Sequence, residues 1–177
     1  MMHEILIVDG YNVIGNWPEL AKLKQDDHLA DARDQLLAQL AEYRKYEEAR
    51  IIIVFDAMYV RGITQRYDQY NLEIVWTKED QTADSYIEKI AGELNNRLTQ
   101  VTVVTSDQAE QWTVFSRGAI RISSPEFKKV IQQTKSAILR DAQHYQDVAL
   151  RRRSPWNNQQ LFRLEKLRDK LSDHKAE

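Results

Sequence analysis

Ile5-Leu6-Ile7-Val8-Asp9-Gly10-Tyr11-Asn12 reads as a strand near residues 4–8 that ends on a carboxylate. The pattern recurs three times. Ile51-Ile52-Ile53-Val54-Phe55 runs into Asp56. Leu72-Glu73-Ile74-Val75-Trp76 is followed by Thr82-Ala83-Asp84. Val101-Thr102-Val103-Val104-Thr105-Ser106 runs into Asp107. The runs are β-branched and continuous rather than alternating, as strands covered on both faces are, and that predicts a parallel sheet. All strands of such a sheet end at one edge, and ligands bind outside those carboxyl ends. Four carboxylates far apart in sequence are thus expected to converge. Together they repel one another unless a cation sits among them, and hard oxygen donors suit Mg²⁺ or Mn²⁺. The expectation is a metal-dependent phosphodiesterase site.

Helical periods fill the gaps between strands. A polar loop holding Trp17-Pro18 is expected after the first strand. A helix over about 28–48 follows, with Leu29, Ala32, Leu36, Leu40 and Tyr43 or Arg44 on one face and Asp26 or Asp27 as its cap. Thr82 caps a helix whose stripe is Ala83, Ile87, Ile90, Ala91 and Leu94. Asp84 falls in its first turn, where the helix dipole also favours a carboxylate, and Glu88 shares its face. Ser106 or Asp107 caps a helix near 108–116, which Gly118 stops. Ala119–Ile122 is a short fifth strand. Ser124-Pro125 opens a further helix, with Ser124 as cap and Phe127, Val130, Ile131, Thr134, Ile138 and Tyr145 as its buried stripe. Arg151-Arg152-Arg153-Ser154-Pro155 interrupts it, and a last helix spans about 158–173. Strands alternating with helices predict an α/β three-layer domain over residues 1–150, with a basic helical extension over 151–177.

The net charge of −2 hides an asymmetry. Residues 1–120 carry 12 Lys/Arg against 20 Asp/Glu; residues 121–177 carry 13 against 7. An acidic body with a basic end points to an anionic partner for that end, although a solvated amphipathic helix has the same composition. The 177 residues include no cysteine, which excludes disulfides and zinc–thiolate sites. His3, His28, His144 and His174 show no ligand spacing. No run approaches the roughly 18 apolar residues of a membrane span, so no membrane partner is expected and a cytoplasmic address is the default.

Gly10 follows Asp9, permitting a tight turn and the close approach of a ligand. Asn12 offers a neutral donor and acceptor to a carboxylate or a phosphate. Lys78 and Arg61 are candidate phosphate contacts, and the tyrosines of 59–70 can stack on bases or simply pack. Glu79 either completes the acidic ring or is a loop charge. The five glycines are isolated, in no Gly-x-x-x-x-Gly-Lys or Gly-x-Gly-x-x-Gly arrangement, so no nucleotide cofactor is expected. There is no Gly-x-Ser-x-Gly elbow. A small-molecule phosphatase is disfavoured because Asp9-Gly10-Tyr11 offers no Asp-x-Asp.

Val8-Asp9-Gly10-Tyr11-Asn12-Val13-Ile14, Val54-Phe55-Asp56-Ala57, Thr77-Lys78-Glu79 with Thr82-Ala83-Asp84 and Ile87-Glu88, and Thr105-Ser106-Asp107 with Glu110-Gln111-Trp112 resemble the YacP-like NYN-domain family of bacterial ribonucleases, a branch of the PIN-like nucleases. The resemblance covers about residues 3–145. It implies a PIN-like fold with strand order 3-2-1-4-5, a divalent metal and endonucleolytic cleavage of RNA, in its best-known member of messenger RNA in the ribosomal A site. It also implies that Asp9 and Asp84 are catalytic and that Asp56 and Asp107 support them. The expected metal ligands are Asp9, Asp84 and Asp107, with Asp56 at the rim. Asn12, Arg61, Lys78 and Ser106 are expected to contact substrate, and Arg151, Arg152 and Arg153 to dock on structured RNA, with the ribosome as partner. The competing expectation is a non-catalytic RNA- or ribosome-binding module that keeps the carboxylates as a structural metal site.

Overall fold

The computed structural model describes residues 3–57, 72–107, 118–153 and 158–173. Five strands form one sheet: β1 (His3–Asp9), β2 (Arg50–Phe55), β3 (Glu73–Trp76), β4 (Thr99–Val104) and β5 (Ile120–Ile122). The order is β3-β2-β1-β4-β5, and every pairing is parallel. Both the sheet and the implied strand order are therefore as expected. Asp9 lies opposite Val54 in the β1–β2 ladder, and Val8 lies opposite Val104 in the β1–β4 ladder, so the ends of the three central strands stand level.

The continuous apolar runs are explained by cover on both faces. Leu6 and Val8 of β1 and Ile51, Ile53 and Phe55 of β2 point into one core cluster. Ile5, Ile7, Ile52 and Val54 point into the other. The first cluster is closed by α1 (Gly10–Asn16), α2 (Pro18–Gln25), α3 (Leu29–Arg44) and the start of α5 (Ser124–Arg153). The second is closed by α4 (Ala83–Leu94), through Ala83, Ile87, Ile90 and Ala91. Fully burying a Leu or Ile contributes about 1.5–3 kcal/mol, so these two layers supply most of the favourable term.

The polar loop expected after β1 is instead two short helices. Asp9 caps the first, its side chain accepting from the Asn12 amide, and Pro18 opens the second at a position where the missing N–H costs nothing. Trp17 at their junction is fully buried, and its indole N–H donates to the Ser124 carbonyl at 2.8 Å. Helices this short do not repeat the helical period often enough to register as one. Neither Asp26 nor Asp27 caps α3; His28 occupies that place without a side-chain bond, and Asp27 takes a left-handed turn at φ 59°. α3 buries Arg33 beside its apolar stripe, where the guanidinium donates to the Tyr11 hydroxyl at 3.2 Å and lies 5.7 Å from the Trp76 ring centroid.

The cap of α5 is one residue earlier than expected. Ser123 and Glu126 form a reciprocal capping box: the Ser123 amide and hydroxyl donate to the Glu126 carboxylate, and the Glu126 amide donates to Ser123 Oγ. Ser124 is thereby released from capping and turned inward. α5 continues through the three arginines expected to interrupt it, and Tyr145 on it is exposed rather than buried. α6 spans Asn158–Asp173, as the periodicity predicts. The expected helix near 108–116 lies outside the described residues.

The chain divides into two compact units, Met1–Lys135 and Ser136–Glu177. The first holds the whole sheet. Among the described residues no helix is long and apolar enough to cross a membrane.

Candidate active site

Asp9 is the last residue of β1, the central strand, and is only 7% exposed. Neighbouring strand ends wall it in on both sides. Its Oδ1 accepts from the Asn12 amide at 3.3 Å, which makes it at once a strand end and a helix cap. Burial pushes its pKa up to about 7. The Asn12 amide opposes the rise, and Asp84, Asp107 and Asp56 add to it, in that order. Three carboxylates from three other segments thus sense Asp9 electrostatically. That is the convergence expected from the strand ends.

The partners are more open. Asp56, half-buried, leaves β2, and the chain beside it is tied to the end of β3: the Thr77 amide donates to the Phe55 carbonyl at 3.0 Å and the Ala57 amide to Thr77 Oγ1 at 3.1 Å. Asp84 is exposed in the first turn of α4. The expected Thr82 cap sets that turn, accepting from the Ser85 amide at 3.3 Å. Asp107 is exposed beyond β4, and its amide donates to Thr105 Oγ1 at 3.1 Å. Thr105 is itself pinned to β5, its amide donating to the Ile122 carbonyl and its carbonyl accepting from Arg121 Nε, both at 3.1 Å.

Asn12 and Ser106 sit at this edge, engaged with the protein. Asn12 Oδ1 accepts from the Ser106 amide and from Ser124 Oγ, each at 2.9 Å. Lys78, Glu79 and Asp80 are exposed between β3 and α4. Arg61 lies outside the described residues, as do the side chains of Arg151, Arg152 and Arg153, although α5 includes those three positions. Gly10 is required by packing. A Cβ there would lie 2.3 Å from the Phe55 ring, which stacks on Trp76 at 4.9 Å and meets the Tyr11 ring edge-on at 5.2 Å. Sequence reasoning missed Thr105 and Ser124; buried hydroxyls of this kind leave no spacing signal.

Among the described residues no three His, Cys, Asp or Glu side chains are grouped tightly enough to hold a metal ion as they stand. The donors nonetheless fit a hard cation. They are all carboxylates, three of them raise the cost of ionising Asp9, and Mg²⁺ commonly keeps several waters and binds through only one or two carboxylates. A cavity of about 290 Å³ lies elsewhere, lined by Glu19, Tyr43, Tyr46, Lys128 and Ile131 among others, and includes none of the four aspartates.

Known proteins resemble this chain in sequence and in fold. The YacP-like NYN domain model matches residues 6–169. The uncharacterised protein YacP of Bacillus subtilis strain 168 is 44% identical over 137 residues, 77% of this chain and 80% of that protein. The crystal structure of Rae1 (YacP) from Bacillus subtilis matches with a TM-score of 0.70 at 36% identity, covering 97% of this chain and 94% of that one. A mutant form of the same protein gives a TM-score of 0.70 at 41% identity, covering 81% and 84%. The chain belongs to the YacP-like NYN domain family and carries that family's nuclease-like fold.

Proposed function

We propose that this protein is a metal-dependent endoribonuclease that hydrolyses RNA phosphodiester bonds at the carboxyl edge of its sheet, cutting messenger RNA in the ribosomal A site, in the cytoplasm. The observation that carries the proposal is the buried Asp9 with three carboxylates acting on it from other segments. A protein has little structural reason to gather such charge, whereas a phosphoryl-transfer site needs it to concentrate cations. Asp9, Asp84 and Asp107 are the proposed ligands of Mg²⁺ or Mn²⁺, with Asp56 at the rim. A bound ion of this kind supplies charge against the scissile phosphate and lowers the cost of ionising a water. The chain's own part is to fix three carboxylates from β1, α4 and the end of β4. Lys78, exposed between β3 and α4, is the proposed contact to a phosphate oxygen. RNA as substrate is supported by the family resemblance and by the basic C-terminal segment.

The deciding assay offers one labelled RNA and one phosphate monoester to the purified protein, with Mg²⁺, with Mn²⁺ and with excess chelator. RNA cleavage is expected with either metal and in neither chelated sample, and the monoester should survive throughout. Cleavage that persists in chelator would remove the metal from the proposal. Metal binding without cleavage would favour the binding-module reading.

Substrate choice requires a second contact, because a carboxylate cluster reads no sequence. An acidic body repels a polyanion, and the basic segment is the natural tether. Replacing Arg151, Arg152 and Arg153 with glutamine is expected to weaken ribosome association and to flatten the slope of log affinity against log salt by up to about 2–3. Cleavage of a short free RNA should stay within about twofold, well inside 1 kcal/mol of barrier. Co-sedimentation with ribosomes across a salt series measures both quantities, and an unchanged slope would leave these arginines without a docking role.

A further inference from the structure

We infer that Ser124 is a positioning residue of the nuclease site, holding the Asp107 segment in register with Asp9 through a closed triangle of hydrogen bonds. The inference rests on the nuclease reading above and deepens it.

The triangle has three corners from three distant segments. Asn12 Oδ1 accepts from the Ser106 amide at 2.9 Å. Ser106 Oγ accepts from the Ser124 amide at 3.0 Å. Ser124 Oγ donates back to Asn12 Oδ1 at 2.9 Å. The orientation of Asn12 is forced, since an amide N–H can only donate and must meet the side-chain oxygen. Every polar atom of Ser124 is engaged, because its carbonyl also accepts from the Trp17 indole at 2.8 Å. Ser124 is fully buried, so no water can replace these bonds.

Each corner leads to a carboxylate or to the frame. The Asn12 backbone amide is the group that caps Asp9. Ser106 immediately precedes Asp107, whose amide is fastened to Thr105. Ser124 begins α5, where the Ser123–Glu126 box fixes the first turn independently. One residue 112 positions away from Asn12 therefore ties the β1 end to the β4 end. Asp9 is held by its cap and its burial. Asp107 is exposed, and its placement depends on the backbone that Ser106 anchors. Loss of the Ser124 hydroxyl opens one side of the triangle and leaves Asn12 and Ser106 joined by a single bond. The Asp9–Asp107 spacing then widens its distribution, and a spacing error of this kind is felt in the transition state more than in RNA binding.

The test compares the intact protein with Ser124→Ala and Ser124→Thr, the latter keeping the hydroxyl. Ile51→Val, a core truncation near the start of β2 and away from the carboxyl edge of the sheet, serves as a stability control. All are assayed well below their melting temperatures. For Ser124→Ala we expect kcat on a short RNA to fall about tenfold with KM within about twofold. Mn²⁺ affinity, read by electron paramagnetic resonance, should fall at least about fivefold, and exchange of the Ser106 amide proton should quicken at least about tenfold. Ser124→Thr should recover most of all three, and Ile51→Val should change none. If Ser124→Thr fails to fold, the Ser106 exchange rate and the Mn²⁺ affinity of Ser124→Ala decide alone. Parent and Ser124→Ala proteins that match in kcat and in Mn²⁺ affinity overturn the inference, as does an equal loss in Ile51→Val. A parent protein that neither binds Mn²⁺ nor cleaves RNA overturns the nuclease reading, and this inference with it.

Discussion

Asp9→Asn is expected to abolish RNA cleavage while raising the melting temperature of the metal-free protein. The two effects share one cause. At pH 8 the Asp9 carboxylate is ionised in a site where burial and three neighbouring carboxylates oppose the charge, and its pKa stands at about 7 instead of 3.8. That difference corresponds to a penalty on the order of 4 kcal/mol for the charged form in the folded state. Asparagine has the same shape and no charge. It keeps an oxygen for the Asn12 amide and ranks with Asp as a helix cap. Its own NH₂ needs a partner in a buried place, which returns roughly 1–3 kcal/mol of the gain. The net should be a rise of a few to about ten degrees. Cleavage should fall at least about a thousandfold, roughly 4 kcal/mol of barrier, because the amide brings no charge to hold a cation. Asp84→Asn should match the loss of cleavage with little change in melting, since Asp84 is exposed. Melts and cleavage assays on the same preparations check both. An active Asp9→Asn protein would remove Asp9 from the chemistry, and a destabilised one would mean that the carboxylate serves the fold.

The strand ends were legible because one physical rule covers them all. Continuous β-branched runs mean a sheet buried on both faces, and parallel strands deliver whatever follows them to one edge. Asp9, Asp56 and Asp107 needed nothing more, and Asp84 needed only the Thr82 cap. Which carboxylate is buried was not legible. Asp9 and Asp107 both follow Val-rich strands, yet Asp9 is enclosed and Asp107 open, because Asp9 is itself the last residue of β1 whereas Asp107 lies beyond the end of β4 at Val104. Where each strand stops fixes that, and an apolar run does not give its last paired residue; the strand order, too, came from resemblance rather than from spacing. The polar scaffold was also hidden. Ser124 looked like a cap because Ser-Ser-Pro offers two candidates, and the choice of Ser123 depends on Glu126. The hydroxyl freed by that choice bonds a residue near the opposite end of the chain. Gly10 was read for its conformational freedom, whereas its real constraint is the Phe55 ring that a Cβ would strike. Such features arise from packing between distant segments, and periodicity reports only on neighbours.

The metal-free protein is expected to lose stability as pH rises from about 4 to 7, against the usual direction for a protein with ion-paired carboxylates. Asp9 gives up its proton near 3.8 when unfolded and near 7 when folded. Between these values the folded state binds more protons than the unfolded state, so the free energy of unfolding falls with pH. Below about 4 both states are protonated and the full contribution is present; above about 7 both are ionised and the loss is complete, on the order of 4 kcal/mol. Glu19 and Glu73 act in the opposite sense. Lys128 and Arg50 hold their carboxyls below the usual range, so they contribute stability above pH 4.5 that is lost on acidification. Both are well exposed, and such pairs contribute little. The Asp9 slope should therefore dominate between pH 5 and 7. A divalent cation cancels it. Below pH 7 a cation at this site must displace the Asp9 proton, so its apparent affinity should climb by up to about tenfold per pH unit towards 7 and level off beyond. Melting curves at intervals from pH 5 to 8.5, with and without saturating Mn²⁺, follow both arms. The metal-free curve should descend, and the gap between the two should widen up to about pH 7 and then hold. A gap of equal width at pH 5.5 and pH 8 would place the cation away from Asp9, and a metal-free curve that rises with pH would show that Asp9 is ionised at no cost to the fold.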